Sequence, residues 1–552
     1  MPFEETASAV DDIRRVAEER FGWTRLRAEQ VQAMEHVLAG HDVLAVMPTG
    51  AGKSAIYQVP AVLLDGPTLV VSPLIALQHD QIGGIEDSKA PDAVALNSTQ
   101  NAAERRDAWE AVRQGRAEYL FLSPEQLAKD DVVADLAELG VSLFVVDEAH
   151  CVSSWGHDFR PDYLRLASAL ERLGHPPVVA LTATAALPVR RDIAEHLGLR
   201  DHREVVTSFD RPNLHLAVER FTDDADKRAA VVGHVRAMAA DAASACGLVY
   251  TASRRDAEGY AAEIAEDGVR VACYHAGLPA AERERVHREF LDDDLDVVVA
   301  TSAFGMGIDK PDVRFVVHAS VQESLDSYYQ QIGRAGRDGA PATVILCYRP
   351  EDLALQNFLT TDTTPDDVVE AVARTLRDHD GPMARAELAD RVDTGPARLT
   401  RAINLLEQAD MVTTDADGRL RYTGPSPRHA VQAAQAVAER QQRLVRSRLD
   451  MLRGYAETTG CRRQFLLGYF GEELDTPCGN CDNCAAGTAE PQTAGTGEFP
   501  RGSTVHHTEW GRGVVISTEA DRLTVLFDDE GYKTLALDTV RDNDLLTLTG
   551  EA

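Results

Sequence analysis

The chain has 552 residues, a length that predicts several domains with separate hydrophobic cores. Hydrophobic residues make up 44% of it and charged residues 26%, which excludes a disordered, collagen-like or disulfide-dense protein. With 89 acidic against 56 basic residues the formal net charge is -33, so any contact with nucleic acid has to be local.

The sequence carries no signal for a membrane or for export. No apolar run approaches the roughly 18–20 residues that span a bilayer, and the acidic start at Met1–Glu5 is unlike a secretory signal. Four of the eight cysteines are scattered and four are gathered near the end, which favours a metal site in a reducing compartment over a disulfide framework. We therefore expect a cytoplasmic protein without membrane partners.

Residues 40–350 alternate short β-prone runs with helical stretches, a rhythm that predicts parallel sheets covered by helices. A break at Ser208–Asn213 separates the strands into two groups. We expect two α/β domains, residues 1–208 and 209–355, with a ligand cleft between them. The predicted strands are Asp42–Met47, Thr68–Val71, Tyr119–Leu122, Leu143–Val146, Val178–Leu181, Gly247–Tyr250, Val297–Ala300 and Phe315–His318.

Smaller units follow. Residues 360–425 have the pattern of three helices and a short hairpin, which predicts a winged helix-turn-helix, with a helical spacer as the alternative. Residues 430–485 contain the clustered cysteines, and 486–500 lack large apolar groups, as in a flexible linker. Residues 501–552 predict a compact barrel of about five short strands.

A glycine-rich segment, Met47-Pro48-Thr49-Gly50-Ala51-Gly52-Lys53-Ser54, joins a predicted strand to a predicted helix. Backbone N–H groups and a helix N-terminus in this context bind phosphates. Thr49, Gly50 and Gly52 would line the phosphates, Lys53 would reach the β- and γ-phosphates, and Ser54 would hold Mg²⁺. Met47 replaces the usual first glycine, so an ordinary turn is the alternative for this segment alone.

Two carboxylates, Asp147 and Glu148, come directly after the apolar run Leu143–Val146. At the carboxyl end of a buried strand, Asp147 can hold Mg²⁺ and Glu148 can activate water. Together with the phosphate loop they predict hydrolysis of a phosphoanhydride such as that of ATP.

The segment Tyr328–Gly339 places Arg334 and Arg337 three residues apart beside Gln330. Arginines can stabilise the charge that develops on the γ-phosphate. Because they would come from the second domain, closure of the cleft would complete the site, and hydrolysis would drive relative motion of the domains.

Four cysteines, Cys461, Cys478, Cys481 and Cys484, supply a set of soft ligands with turn-forming residues between the last three. This spacing predicts a closed, structural, tetrahedral Zn²⁺ site, with an iron–sulfur site as the alternative.

These motifs, in this order, resemble the RecQ family of superfamily 2 DNA helicases over about residues 15–350 and 440–485. The resemblance implies two RecA-like parallel-sheet domains and a helical zinc-binding module. With the units predicted from pattern, the expected fold class is α/β: two RecA-like parallel-sheet domains, plus winged-helix-like, helical zinc-binding and small C-terminal β-barrel modules. Phe21-Gly22-Trp23 resembles the family's adenine-reading segment. There Trp23 would stack on the base, and Arg27 and Gln30 would bond its edge.

A second family-like segment, Cys151–Pro161, follows the Asp-Glu-Ala-His box and resembles the RecQ loop that senses single-stranded DNA. The resemblance assigns DNA binding to Trp155, His157, Phe159 and Arg160, with base stacking by the aromatic rings. Further segments resemble strand-tracking loops whose hydroxyls and amides contact DNA phosphates without reading sequence. They include Val71-Ser72-Pro73-Leu74, Ser123-Pro124-Glu125, Thr182-Ala183-Thr184 and Thr301–Lys310.

The chain departs from the family pattern in two places. RecQ proteins normally carry the winged helix, with its duplex-splitting hairpin, after the zinc module, whereas the winged-helix-like segment here precedes it. Pro500–Val515 instead resembles the Tudor-like tail of UvrD/PcrA-type helicases, which in those enzymes contacts RNA polymerase. The tail would therefore bind a protein partner, RNA polymerase or a repair factor.

We predict an ATP-dependent DNA helicase that uses ATP, Mg²⁺ and Zn²⁺ and acts on single-stranded and tailed duplex DNA. The resemblance implies 3′-to-5′ polarity, a role in DNA repair or recombination, and nucleoid association. The alternatives are an RNA helicase, an ATP-driven translocase or remodeller, and a polymerase-associated adaptor acting through the winged helix and the tail.

Overall fold

Short apolar runs form the strands of two all-parallel sheets, as expected where helices cover a sheet on both faces. The structure is a computed structural model. It describes residues 2–550 apart from 74, 98–99, 128, 154–160, 241–245, 305–309, 361–363, 416–417, 490–496 and 520.

The first sheet domain is built on a seven-stranded sheet with strand order β3-β4-β2-β5-β6-β1-β7. Its elements are α1 (Pro2–Phe21), α2 (Ala28–Leu38), β1 (Val43–Val46), α3 (Ala55–Leu63), β2 (Thr68–Val71), α4 (Ile75–Glu86), β3 (Asp92–Leu96), α5 (Ala102–Arg113), β4 (Ala117–Leu122), α6 (Pro124–Leu127), α7 (Asp130–Leu139), β5 (Leu143–Val146), α8 (Leu166–Arg172), β6 (Val178–Thr182), α9 (Leu187–Leu197) and β7 (Arg203–Val206). Short 3₁₀ helices lie at Ala149–Val152 and Pro161–Arg165.

The second sheet domain has a six-stranded sheet with order β10-β11-β9-β12-β13-β8. Its elements are β8 (Leu214–Arg220), α10 (Asp224–Ala239), β9 (Gly247–Tyr250), α11 (Arg254–Ala265), β10 (Val271–Tyr274), α12 (Ala280–Leu291), β11 (Val297–Ala300), β12 (Phe315–His318), α13 (Leu325–Ile332), β13 (Ala342–Tyr348) and α14 (Pro350–Thr360). The segment 207–213, called the hinge below, joins β7 to β8 and so connects the two sheet domains.

Three helices and a two-stranded antiparallel hairpin follow, packed around an apolar core of their own. They are α15 (Asp366–Arg377), α16 (Arg385–Arg391), α17 (Pro396–Gln408), β14 (Val412–Thr414) and β15 (Leu420–Tyr422). The long helix α18 (Pro427–Glu457) then leads to the zinc module, which consists of α19 (Arg462–Phe470), α20 (Asp482–Ala485) and the loop between them.

The chain ends in a five-stranded antiparallel sheet with order β19-β18-β17-β16-β20. Its elements are β16 (Thr504–His507), β17 (Gly511–Thr518), β18 (Arg522–Phe527), β19 (Gly531–Ala536), α21 (Leu537–Asp542) and β20 (Leu546–Gly550). The expected number of strands is present. Among the described residues no ladder joins β19 to β20, so these ladders form an open sheet and closure into a barrel stays a prediction.

Eight predicted strands correspond to β1, β2, β4, β5, β6, β9, β11 and β12. The two-domain α/β architecture is therefore confirmed. In the part of the chain that the structure describes, no helix has both the length and the apolar character needed to cross a bilayer.

Candidate nucleotide site and zinc centre

The phosphate loop, residues 47–54, leaves the carboxyl end of β1 and enters α3. Gly50 and Gly52 have φ of 79° and 74°, a left-handed conformation that side chains other than glycine rarely adopt. Thr49 is half-buried in the turn before Gly50, and Ser54 is the residue from which α3 begins. The Lys53 Nζ donates a hydrogen bond to the Met47 carbonyl at 3.2 Å.

Burial and two nearby carboxylates act in opposite directions on Lys53, and the net effect is a lowered pKa. Burial lowers its pKa, while Glu148 and Asp147 raise it. Nearby Asp147 and Glu148 thus favour the ammonium form that phosphate binding requires.

Gln30 supports the phosphate loop directly. Its Nε2 donates to the carbonyls of Ala51 at 3.1 Å and Gly52 at 2.9 Å, and its Oε1 accepts from the Arg27 N–H at 2.8 Å. Trp23 stacks on Phe21 with ring centroids 4.6 Å apart, and Arg27 is exposed. The structure therefore places the Gln30 amide on the loop backbone.

Asp147 and Glu148 lie at the carboxyl end of β5, and Asp147 is only 6% exposed. The Asp147 Oδ1 accepts the Glu148 N–H at 2.9 Å, and Oδ2 accepts from Gln81 Nε2 at 2.9 Å. Burial, and then the Glu148 charge, raise the pKa of Asp147 to about 6. Glu148 has φ and ψ of 48°, a left-handed conformation that costs energy outside glycine and often marks a functional position.

His150 connects this acidic pair to the end of β6. Its Nδ1 lies 3.0 Å from Thr182 Oγ1 and 3.3 Å from Glu148 Oε2. Thr182 in turn donates to the Thr184 carbonyl at 3.1 Å. Sequence pattern predicts no role for His150, and its place two residues after Glu148 is the signal that could have indicated one.

The second sheet domain brings its arginines to the phosphate loop. A Cβ placed on Gly50 would lie 3.0 Å from Arg337 Cδ, so the two residues are in contact. Both Arg337 and Arg334 lower the pKa of Lys53 by like-charge repulsion, and Arg334 is only 4% exposed. Gln330 is half-buried on α13. The structure thus gathers Lys53, Asp147, Glu148, Arg334 and Arg337 at one interdomain site.

The four clustered cysteines form a second centre. All four ligand sulfurs lie within 4.8 Å of one another, and Cys478 Sγ is 3.9 Å from Cys484 Sγ. A tetrahedral Zn²⁺ with Zn–S bonds of about 2.3 Å would hold sulfurs about 3.8 Å apart, so the donor set fits zinc. The backbone N–H groups of Cys478 and Asn480 point at Cys461 and Cys478 sulfurs, at 3.3 and 3.4 Å.

The zinc module is bonded to the edge of the six-stranded sheet. Asp482 Oδ1 accepts from Arg462 Nε at 2.6 Å, and its Oδ2 accepts the Val218 N–H of β8 at 2.9 Å. Arg463 donates to the Leu214 carbonyl at 2.8 Å. The zinc module is therefore an extension of the second sheet domain.

The zinc module also forms hydrogen bonds with the hinge. The Glu472 carboxylate accepts from Ser208 Oγ at 2.5 Å and from the Phe209 N–H at 2.7 Å. Phe209 also stacks on Phe470 with ring centroids 4.6 Å apart. Sequence reasoning missed Glu472, because a lone acidic residue after a helix carries no signal of its distant partner.

The expected DNA-binding residues Trp155, His157, Phe159 and Arg160 lie outside the described residues. Of the other segments expected to contact DNA, Ser72 and Pro73 are buried at the end of β2, and Ser123 and Pro124 lie at the start of α6.

Two parallel-sheet domains that close on a phosphate loop, an Asp-Glu pair and arginines define the ATPase core of a helicase. Family models described as "DEAD/DEAH box helicase", "Helicase conserved C-terminal domain" and "RecQ zinc-binding" match residues 27–193, 230–339 and 426–485. The chain belongs to the RecQ family of ATP-dependent DNA helicases.

Curated relatives agree. The chain is 35% identical over 467 residues to "Probable ATP-dependent DNA helicase RecS" of Bacillus subtilis, covering 84% of this chain and 90% of that relative. It is also 35% identical over 467 residues to "ATP-dependent DNA helicase RecQ" of Pasteurella multocida, covering 84% of this chain but 61% of that relative. The chain therefore spans about three fifths of the length of the latter.

Solved structures share the fold. A "DUF1998 helicase MrfA bound to DNA" matches with a TM-score of 0.53 at 17% identity, covering 76% of this chain and 63% of that one. A "DEAD-box helicase Mss116 bound to ssRNA and UDP-BeF" matches with a TM-score of 0.52 at 16% identity, covering 81% and 88%. These likenesses support the fold of the two sheet domains.

Proposed function

We propose that the chain is a 3′-to-5′ DNA helicase that moves on single-stranded DNA and unwinds tailed duplexes in repair or recombination. The observation that carries this proposal is the contact of Arg337 with Gly50, because it puts a cation of one domain against the phosphate loop of the other. Such a site is complete only when the cleft is closed, which couples hydrolysis to relative domain motion.

The proposed roles follow from the geometry. Lys53 binds the β- and γ-phosphates, Ser54 and Asp147 hold Mg²⁺, and Glu148 orients the attacking water. Arg334 and Arg337, with Gln330 beside them, stabilise charge on the γ-phosphate. Thr49, Gly50 and Gly52 line the phosphates, and Trp23, Arg27 and Gln30 receive the adenine.

Gln30 has a double role in this proposal. Both hydrogens of its amide nitrogen are donated to loop carbonyls, so recognition of the base by this side chain would have to exchange at least one of these bonds, and the phosphate loop would sense the exchange directly. Trp155, His157, Phe159 and Arg160 stay the proposed contacts to single-stranded DNA, a substrate that also implies nucleoid association.

The test is ATP-dependent unwinding of one duplex that carries either a 3′ or a 5′ single-stranded tail. Unwinding of the 3′-tailed duplex only, abolished by Lys53→Ala and kept by the exposed-site control Lys89→Ala, is the expected result. Unwinding of the 5′-tailed duplex instead would contradict the proposed 3′-to-5′ polarity. If RNA stimulated the ATPase more than DNA, the proposal that DNA is the substrate would be overturned. DNA-stimulated ATP hydrolysis without unwinding would favour a translocase.

We also propose that residues 360–425 act as a winged helix and that the C-terminal sheet, residues 501–552, binds a protein partner such as RNA polymerase or a repair factor. The sheet is docked on the zinc module, where Tyr532 and Tyr469 have ring centroids 5.3 Å apart. Deleting residues 500–552 should abolish capture of RNA polymerase and leave unwinding intact. Loss of unwinding would instead make the tail a DNA-handling element.

The remaining proposed boundaries are 1–208, 209–355, 430–485 and the linker 486–500.

A further inference from the structure

Gln81, on α4, bridges the metal-binding carboxylate and the helix that follows the phosphate loop. Its Nε2 donates to Asp147 Oδ2 at 2.9 Å, and its Oε1 accepts from the Tyr57 hydroxyl at 2.8 Å. An ionised carboxylate only accepts hydrogen bonds, so the amide can have only this orientation and Tyr57 has to be the donor. Hydrogen bonds of fixed direction thus connect three residues from three separate segments, from the Tyr57 hydroxyl through Gln81 to Asp147.

The bridge restrains the Asp147 carboxylate. With Oδ1 accepting the Glu148 N–H and Oδ2 accepting from Gln81, both oxygens are fixed by donors. Tyr57 is fully buried one turn after Lys53, and burial raises the pKa of its phenol above the ordinary value, so the hydroxyl stays protonated. Hydrogen-bonded supports of this kind set the orientation of metal ligands, and their loss typically costs about 10–100-fold in affinity or activity.

The helix that carries Gln81 is also tied to a strand-tracking loop. Gln78, fully buried one turn before Gln81, donates from Nε2 to the Ser72 carbonyl at 3.1 Å. Residues three apart lie on the same face of a helix, so Gln78 and Gln81 face the same side of α4. Ser72 directly follows β2 in the segment that resembles a DNA-contacting loop.

We propose that Gln81 is a positioning residue for Asp147, and that α4 links the Ser72 loop to it so that a bound DNA strand adjusts the Mg²⁺-holding carboxylate. This inference rests on the proposed function, because it needs DNA at the Ser72 loop. It assigns to α4 a coupling between strand binding and ATP hydrolysis.

The test compares Gln81→Leu, Tyr57→Phe and the double variant, with Gln32→Leu at an exposed position of α2 as the matched control. We measure kcat and KM for ATP with and without single-stranded DNA, and the Mg²⁺ concentration for half-maximal rate. Gln81→Leu should lower the DNA-stimulated kcat about 10–100-fold and raise the Mg²⁺ requirement, with KM for ATP changed little. Tyr57→Phe should have a smaller effect in the same direction.

The double variant separates a directed chain from two independent packing defects. If Tyr57 acts through Gln81, the double variant should match Gln81→Leu alone, whereas independent effects multiply. Gln78→Leu should reduce the ratio of DNA-stimulated to basal rate. A wild-type kcat and Mg²⁺ requirement in Gln81→Leu, or multiplied effects in the double variant, would overturn the proposal.

Two further readouts keep the result interpretable. Thermal unfolding and binding of a fluorescent ATP analogue show whether each variant is folded, and Tyr57→Phe, which removes one oxygen, serves if Gln81→Leu does not fold. A wild-type protein whose ATPase ignores DNA would overturn the proposed function itself. If single-stranded DNA stimulates ATP hydrolysis equally in the wild type and in Gln81→Leu, only the proposed role of Gln81 is overturned.

Discussion

Arg337 of the second sheet domain lies against Gly50 of the phosphate loop in the first, at a distance where a Cβ on Gly50 would meet its Cδ at 3.0 Å. The contact brings a cation of the second sheet domain to the phosphate loop, where we propose that it stabilises the charge that develops on the γ-phosphate.

Arg337→Ala should therefore reduce kcat for ATP hydrolysis by about 10³–10⁵-fold while nucleotide binding changes far less, because the arginine acts chiefly in the transition state. Steady-state ATPase and equilibrium binding of an ATP analogue measure the two effects. Arg255→Ala, at an exposed position of α11, is the control. An equal loss of affinity and rate would assign Arg337 to ground-state binding instead.

Removal of zinc should unfold the zinc module and weaken the second sheet domain. Asp482 and Arg463 bond the module to β8, so the loss extends beyond the four ligands. Cys481→Ser should contain no zinc and unfold at a lower temperature. Metal analysis of Cys273→Ser, outside the cluster, should give one zinc per chain as in the wild type. A Cys481→Ser protein with full zinc content would refute the ligand assignment.

Glu472→Ala should loosen the hinge. Hydrogen bonds to a charged group contribute about 1.5–3 kcal/mol each, and Glu472 makes two with the hinge. We expect fewer base pairs unwound per ATP hydrolysed, as measured by parallel unwinding and ATPase assays. The neighbouring Glu473→Ala is the matched control, since that side chain is 68% exposed. An unchanged coupling ratio in Glu472→Ala would contradict a mechanical role for this contact.

The stability of the first sheet domain should depend on the protonation of Glu118. Burial raises the pKa of this β4 carboxyl from its usual 4.5 to about 8, and its Oε1 has no hydrogen-bond partner among the described residues. The folded chain then holds the proton more tightly than the unfolded chain. The stability that the protonated Glu118 carboxyl contributes to the folded chain is fully present below pH 4.5 and is lost as the pH rises through about 8.

Glu118→Gln should accordingly raise the free energy of unfolding at pH 8 or above by about 1–2 kcal/mol, a figure reduced for partial exposure, and change it little at pH 4.5. Denaturant unfolding at the two pH values measures this difference. Glu138→Gln, at an exposed site of α7, should leave the pH dependence unchanged. Equal effects of Glu118→Gln at both pH values would exclude titration as the cause.

The strands found from sequence and those missed differ in their place in the sheets. β2, β5, β9, β11 and β12 are internal strands whose residue bounds match the prediction, because apolar runs of this kind are buried on both faces. The missed strands β3, β7, β8 and β10 are the four edge strands, where one missing neighbour permits polar residues. The internal strand β13 was also missed, although it has an equally apolar run.

The amino-acid sequence by itself determined the chemical inventory: the phosphate loop, the Asp-Glu pair, the arginines and the four zinc ligands. Each is a local pattern, set by which side chains can bind phosphate, Mg²⁺ or Zn²⁺. Only the tertiary structure decided which distant residues meet these motifs. Gln81 reaches Asp147 across 66 positions and Glu472 reaches Phe209 across 263. Such contacts depend on strand order and domain packing, which bring together residues that share no periodicity in the chain.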